Sequence, residues 1–249
     1  MKKPFLGINI SVGAYRDILG QIVELAKASK PGYVCIANVH MLVEASRDVS
    51  FSSVVNNSTI CTADGMPLVW GLKKTHNIHQ DRVAGMDLLP DLLQAAEKDS
   101  IPIFFYGGTE KMLETTKNFL KANYPYLKLA GTISPPFRAL TKNEEIDIIQ
   151  TINASGAKIV FVALGCPKQE KWMNAVTSRV NALLIGIGGA LPVMVGMQKR
   201  APAWMQRFAL EWLYRLCQEP GRLFKRYWST NIAFAMLLVR QASLSQGKK

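Results

Sequence analysis

Short apolar runs rich in β-branched residues alternate along this chain with longer stretches whose apolar positions recur every three or four residues. The short runs predict strands: YVCIA (33–37), TIC (59–61), PIFFY (102–106), KLAGTI (128–133), KIVFVAL (158–164) and ALLIGI (182–187). Most are apolar throughout rather than alternating, as expected of parallel strands covered on both faces. The longer stretches predict helices over 14–29, 39–48, 65–74, 85–98, 109–122, 142–154 and 168–177. The alternation points to an α/β fold, a mostly parallel, Rossmann-like sheet flanked by helices. An early hairpin is expected near LGINISVG. From Ala201 the pattern becomes helical only, with Trp204, Phe208, Trp212 and Leu216 recurring every four residues. Pro220–Gly221 is expected to break that helix, and a second is expected from about Arg222 to Arg240. The division that follows is an α/β catalytic core over 1–198 and an all-helical basic appendage over 199–249.

Parallel strands end along one edge of their sheet, and ligands bind in the crevice there. The segments after the strands carry small and polar residues: Asn38-Val-His40, Thr62-Ala-Asp64-Gly65, Gly107-Gly108-Thr109, GCPKQE (165–170) and Gly186-Ile-Gly188-Gly189. The glycines let a ligand approach the backbone, and the side chains can reach it. Plainer roles stand beside these. Asp64 could cap the helix that follows. Lys168 and Gln169 could be ordinary first-turn residues, and Arg82 a surface arginine. GGT and GIGG fit neither GxGxxG nor GxxxxGKS, so neither a standard dinucleotide site nor a P-loop is expected. His40, His76 and His79 form no ligand spacing with the cysteines, so zinc is not expected. There is no GxSxG.

Charge narrows the class of partner. The formal net charge is +12. Residues 199–249 hold ten Lys or Arg against Glu211 and Glu219, so they carry +8 of it. An anionic partner meeting this end is the natural reading. If 201–219 is one helix, Arg200, Arg207 and Arg215 fall within about 80° of each other. An arginine face beside exposed aromatics suits phosphate at a membrane surface; a solvated basic face is the plainer reading. No nucleic-acid motif accompanies the charge, so nucleic acid is not an expected partner. The four scattered cysteines, with no CxxC, read as reduced thiols of a cytosolic protein. MKKPFLGINISVG lacks the apolar run of a signal peptide, and IAFAMLLV (232–239) is too short to span a bilayer.

The motifs resemble one family. Asn38, ADG (63–65), RVAGMDLL (82–89), FFYGGT (104–109), GCPKQEKW (165–172), GIGGA (186–190) and above all KRAPAWMQRFALEWLYRLCQEPGRLFKRY (199–227) are similar to the WecG/TagA/CpsF bacterial glycosyltransferases. The resemblance runs over about residues 5–227. It implies an inverting transferase on the cytoplasmic face of the membrane, peripherally associated. Such an enzyme moves a sugar from a UDP-sugar to a polyprenyl-diphosphate-linked saccharide in surface or exopolysaccharide synthesis. It further implies Asp64 as the catalytic carboxylate, and Arg215, Arg222 and Lys225 or Arg226 as a clamp on the lipid diphosphate. Ile36 and Leu191–Pro192 depart from the family pattern, so glucose, N-acetylmannosamine and its uronic acid all stay open as the donor sugar.

The chemistry is consistent with the residues. Inversion in one displacement needs a single base for the acceptor hydroxyl, and Asp64 at a strand end can serve. No Asp-x-Asp motif is present to hold a metal, and Glu145-Ile-Asp147 belongs to a helix face. No metal or other cofactor is therefore expected. Arg82, Lys168, Gln169 and helix N-terminal amides are expected to stabilise the departing diphosphate, with Asn38, Gly107, Gly108, Gly188 and Gly189 completing the donor site. A nucleotide-sugar-binding scaffold without catalysis is the alternative. Exposed aromatics in the tail leave homo-oligomerisation open.

Overall fold

A computed structural model of the chain describes residues 1–208 and 210–246; the side chains at 203, 207, 222, 225, 226 and 241–246 lie outside that description. The chain opens with the expected hairpin, β1 (Lys2–Phe5) paired antiparallel with β2 (Ile8–Ser11). The remaining strands are β3 (Gly32–Ala37), β4 (Ile60–Ala63), β5 (Ile103–Gly107), β6 (Leu129–Ile133), β7 (Ile159–Ala163) and β8 (Leu183–Gly186). They form a parallel sheet in the order β4-β3-β8-β7-β5-β6.

Both faces of the sheet are covered. Helices α1 (Tyr15–Lys27), α5 (Gly85–Lys98), α6 (Glu110–Asn123) and α9 (Ala190–Met194) pack on one face against Val34, Phe105, Phe161 and Ile185. Helices α2 (Val39–Arg47), α3 (Val49–Asn56), α4 (Met66–His76), α7 (Lys142–Ala154) and α8 (Lys168–Val176) pack on the other with the hairpin, against Tyr33, Cys35, Phe104 and Val162. Alternate strand residues thus feed two apolar layers, which is why the strands read as unbroken apolar runs. Cys35 and Cys61 sit in register on β3 and β4. Burial pushes the Cys61 thiol up to about 12, so it behaves as a core residue rather than a reactive one.

Helix α3 was not expected. VSFSSVVN is poor in helix formers. It folds because the Asp48 carboxylate accepts from the Phe51 amide (3.1 Å) and caps it, while Phe51 and Val55 are fully buried.

The C-terminal region departs further from expectation. It contains α10 (Ala203–Arg207), α11 (Glu211–Gln218) and α12 (Pro220–Gln246). The continuous helix expected over 201–219 is interrupted after Arg207, and Arg200 precedes α10. Arg200, Arg207 and Arg215 therefore do not share one helical face. The break expected at Pro220–Gly221 is present, since α11 ends at Gln218 and Pro220 and Gly221 open α12, a first-turn position where proline's missing N–H costs nothing. Leu223, Thr230 and Ala233 of α12 are buried, and the helix packs along α2. Phe224, Trp228, Ile232, Met236 and Val239 stand exposed. Among the described residues, no helix is long and apolar enough to cross a membrane.

Candidate active site

Asp64 stands immediately beyond β4. Its amide donates to the Ala37 carbonyl (2.7 Å), which extends the pairing with β3 by one residue. The N-cap of α4 is Gly65, with no side-chain cap bond. The helix-cap role for Asp64 is thus not observed, and its carboxylate stays on the rim of the sheet.

A strap formed by residues 80–84 lies along the outer side of β4. The Val83 amide donates to the Ala63 carbonyl (2.9 Å), and the Thr62 hydroxyl donates to the Val83 carbonyl (3.0 Å). From the other side, Gln80 Oε1 accepts from the Gly13 amide (3.0 Å) and Asp81 Oδ2 from the Tyr15 amide (2.9 Å). The strap sets Arg82 beside Asp64. The Arg82 guanidinium donates through Nη2 to Asp87 Oδ2 (3.1 Å) and through Nη1 to Glu211 Oε2 (3.0 Å). Asp87 also pairs with Arg200, whose Nη2 donates to Gln206 Oε1 (3.0 Å). On α11, Arg215 lies against the loop after β8: a Cβ placed on Gly189 would come within 2.5 Å of Arg215 Nη2.

These charges set the titration of Asp64. The residue keeps an opening to solvent, yet the protein around it is dense enough that burial dominates. Burial raises its pKa from the ordinary 3.8 to about 7, assisted by Glu211 and Asp87 and opposed by Arg82 and Arg215. A carboxyl group poised there is half-ionised near neutrality, where a general base works best. Arg82 remains cationic: burial pulls its pKa down, but Asp64, Glu211 and Asp87 more than offset that.

The GCPKQE segment is more internally bonded than its text suggests. Gln169 and Glu170 are buried. Gln169 Oε1 accepts from the Gly165 amide (3.2 Å), and its Nε2 donates to Glu170 Oε1 (2.7 Å). The same amide group packs on the β8 end, where a Cβ on Gly186 would meet Gln169 Nε2 at 2.9 Å. Gln169 therefore braces the loops after β7 and β8 together. Trp172 stacks on Tyr106 of β5 (4.3 Å between centroids) and fixes α8 over the same strands. Lys168 is exposed at the start of α8.

The other expected residues occupy the same rim at different distances. Asn38 caps α2, its Oδ1 accepting from the Met41 amide (3.1 Å). Gly107 has φ of 110°, and a Cβ there would lie 2.7 Å from the Ala163 carbonyl. The Gly108 carbonyl accepts from Ser134 Oγ (2.7 Å). Between β5 and β7 the connections diverge, outward to β6 and inward to β8, so the topological switch point of the sheet falls at Gly107–Gly108 and Gly165. Counting four strand spacings from β4 to β5 puts it roughly 19 Å from Asp64.

Asp64, Arg82, Gly189 and Arg215 are thus gathered at one end of a long rim. Asp87 and Glu211, not singled out from sequence, belong to the same cluster, as does Arg200, which the sequence placed only in a basic stripe. Asp87 lies inside the RVAGMDLL motif, and Glu211 is a rare acid in a basic stretch; those were the available signals. The side chains of Arg222, Lys225 and Arg226 lie outside the described residues. Among the described residues, no group of three or more His, Cys, Asp or Glu is placed to hold a metal ion.

Comparison with protein-family models matches the Glycosyl transferase WecG/TagA/CpsF family over residues 3–248, so the α/β core and the C-terminal helices fall within one match. The chain belongs to that family and is a glycosyltransferase of cell-surface polysaccharide synthesis.

Proposed function

We propose that the chain is an inverting transferase that moves a sugar from a UDP-sugar to a polyprenyl-diphosphate-linked saccharide, with Asp64 as general base and no metal. The observation that carries this reading is the placement of the Asp64 carboxyl on the sheet rim beside Arg82 and Arg215, where burial pushes its pKa up to about 7. As the acceptor oxygen attacks the anomeric carbon, its proton passes to Asp64. The bond from that carbon to the diphosphate oxygen breaks, and UDP leaves with the electron pair. Attack from the opposite side inverts the centre.

Arg82, Lys168 and rim amides would stabilise the leaving diphosphate. Asn38, beside Asp64 on the neighbouring strand, would border the sugar end, the Gly107–Gly108 turn the nucleotide end, and the glycines at 188 and 189 would let the donor approach the backbone. Gln169 would act by bracing the two loops. Arg215, with Arg222, Lys225 and Arg226, would meet the lipid diphosphate. The exposed Phe224, Trp228 and Ile232 support seating α12 at the inner face of the cell membrane.

The test is UDP release from UDP-glucose, UDP-N-acetylmannosamine and its uronic acid, with a short-chain lipid-diphosphate acceptor and EDTA. Turnover with one of these sugars is expected, and Asp64→Asn should nearly abolish it while the protein stays folded. Full activity of the asparagine variant would remove Asp64 from the mechanism. Binding of a UDP-sugar without turnover would favour the scaffold reading.

A further inference from the structure

Glu211 and Glu219 are the acidic residues after position 198. Among the described residues, Glu211 pairs with the Arg82 guanidinium, 129 positions earlier in the chain. The pair is largely removed from water, with 16% of the Arg82 side chain and 20% of the Glu211 side chain exposed. Asp87 holds the other terminal nitrogen of the same guanidinium. Arginine's fork is planar and rigid, so carboxylates on two elements, α5 and α11, fix its orientation. Lysine could not be held in this way.

We propose that Glu211 is a positioning residue for sugar transfer: with Asp87 it fixes both ends of the Arg82 guanidinium, and it thereby ties α11, and Arg215 with it, to the Asp64 carboxylate. The inference rests on the proposed role of Asp64. It supplies a reason for an acid at the start of α11, where the surrounding sequence is basic. Among the described residues, the charged groups facing Asp64 are Arg82 from the strap, Asp87 from α5, and Glu211 and Arg215 from α11. Among the described residues, three arginines (Arg82, Arg200 and Arg215) stand against three carboxylates (Asp64, Asp87 and Glu211). With Asp64 ionised the cluster is balanced, and Glu211 keeps Arg82 from pairing fully with the base.

Two substitutions separate the tether from the charge. Glu211→Gln retains an oxygen that can accept from Arg82 Nη1 but removes a negative charge that opposes ionisation of Asp64. The acid limb of its kcat/KM–pH profile should move to lower pH by about half a unit or more. Glu211→Ala removes the tether as well, and its kcat should fall at least about tenfold with donor KM much less affected. If the alanine variant does not fold, the profile of the glutamine variant decides alone. An unmoved acid limb in Glu211→Gln, or wild-type kcat in Glu211→Ala, overturns the proposal. Asp64→Asn distinguishes the two levels. Turnover by that variant would sink the base assignment itself, whereas an inactive Asp64→Asn beside an unmoved Glu211→Gln profile would sink only the positioning role.

Discussion

Asp64→Asn should make the protein more stable as well as inactive, and the gain should depend on pH. Asparagine resembles the neutral carboxylic acid and never ionises. In the folded chain Asp64 titrates at about 7, against 3.8 as its ordinary value. The folded pKa lies above the unfolded one, so the wild type is best off where the group is protonated in both states, below 3.8. As the pH rises from about 4 to about 7, the unfolded chain gives up a proton that the folded chain keeps, and stability is lost. Above about 7 the loss is complete and constant. A difference of about three pH units corresponds to at most about 4 kcal/mol. Because Asp64 retains a solvent opening, water and side-chain relaxation should reduce this to about 2 kcal/mol. For a chain of this size that is a rise in Tm of roughly 4–8 °C. Thermal melts of wild type and variant across this pH range would show curves that meet in acid, diverge towards neutrality and run parallel above it. A variant less stable than wild type at every pH would mean that the ionised carboxylate supports the fold through Arg82 and Arg215, and the desolvation argument would be wrong.

Other substitutions probe the frame around the base. Gly189→Ala brings a methyl against the far end of Arg215, a side chain that can swing away. Stability should change by less than about 1 kcal/mol, while kcat/KM for the lipid-diphosphate acceptor falls; unchanged acceptor kinetics would take Arg215 out of the site. Gly107→Ala has no such escape, since φ is 110° and the neighbour is the Ala163 backbone; urea unfolding should register a loss of about 2–4 kcal/mol. Burial pushes the Glu170 pKa up, against hydrogen bonds from Gln169 and the Cys166 thiol that favour the charged form. Its raised pKa means that its contribution to stability fades as pH rises. Glu170→Gln, which keeps the acceptor for Gln169, should be as stable as wild type or more so in mildly alkaline buffer. A loss beyond about 1 kcal/mol there would show that the charge itself is needed.

The central architecture was legible because the inner strands β3, β8, β7 and β5 are covered on both faces, and two apolar layers leave them as unbroken apolar runs. Strands 33–37, 102–106 and 158–164 were readable for that reason. The misreadings fall where a helix owes its existence to a few tertiary contacts. Helix α3 has weak local preference and is held by the Asp48 cap and by Phe51 and Val55. The four-residue recurrence of Trp204, Phe208, Trp212 and Leu216 suggested one long helix. Spacing does not register the interruption between α10 and α11, and Leu210 instead starts a new helix at Glu211.

That interruption also explains why only half of the site could be read from sequence. Strand ends and their glycines advertise a rim, so Asp64 and the loops at 107–108, 165–170 and 186–189 could be found one strand at a time. Arg82 could be suspected but not assigned a partner, because its partners lie five and 129 positions away. Reading the C-terminal arginines as a single stripe made them equivalent; in the fold they are not. Arg200 belongs to Asp87, and Arg215 lies on Gly189. Charge summed over a segment identifies what kind of partner that segment can attract. Which carboxylate each cation meets is fixed only when α11 is laid across the end of the sheet, where Glu211 links that helix to the Arg82 strap.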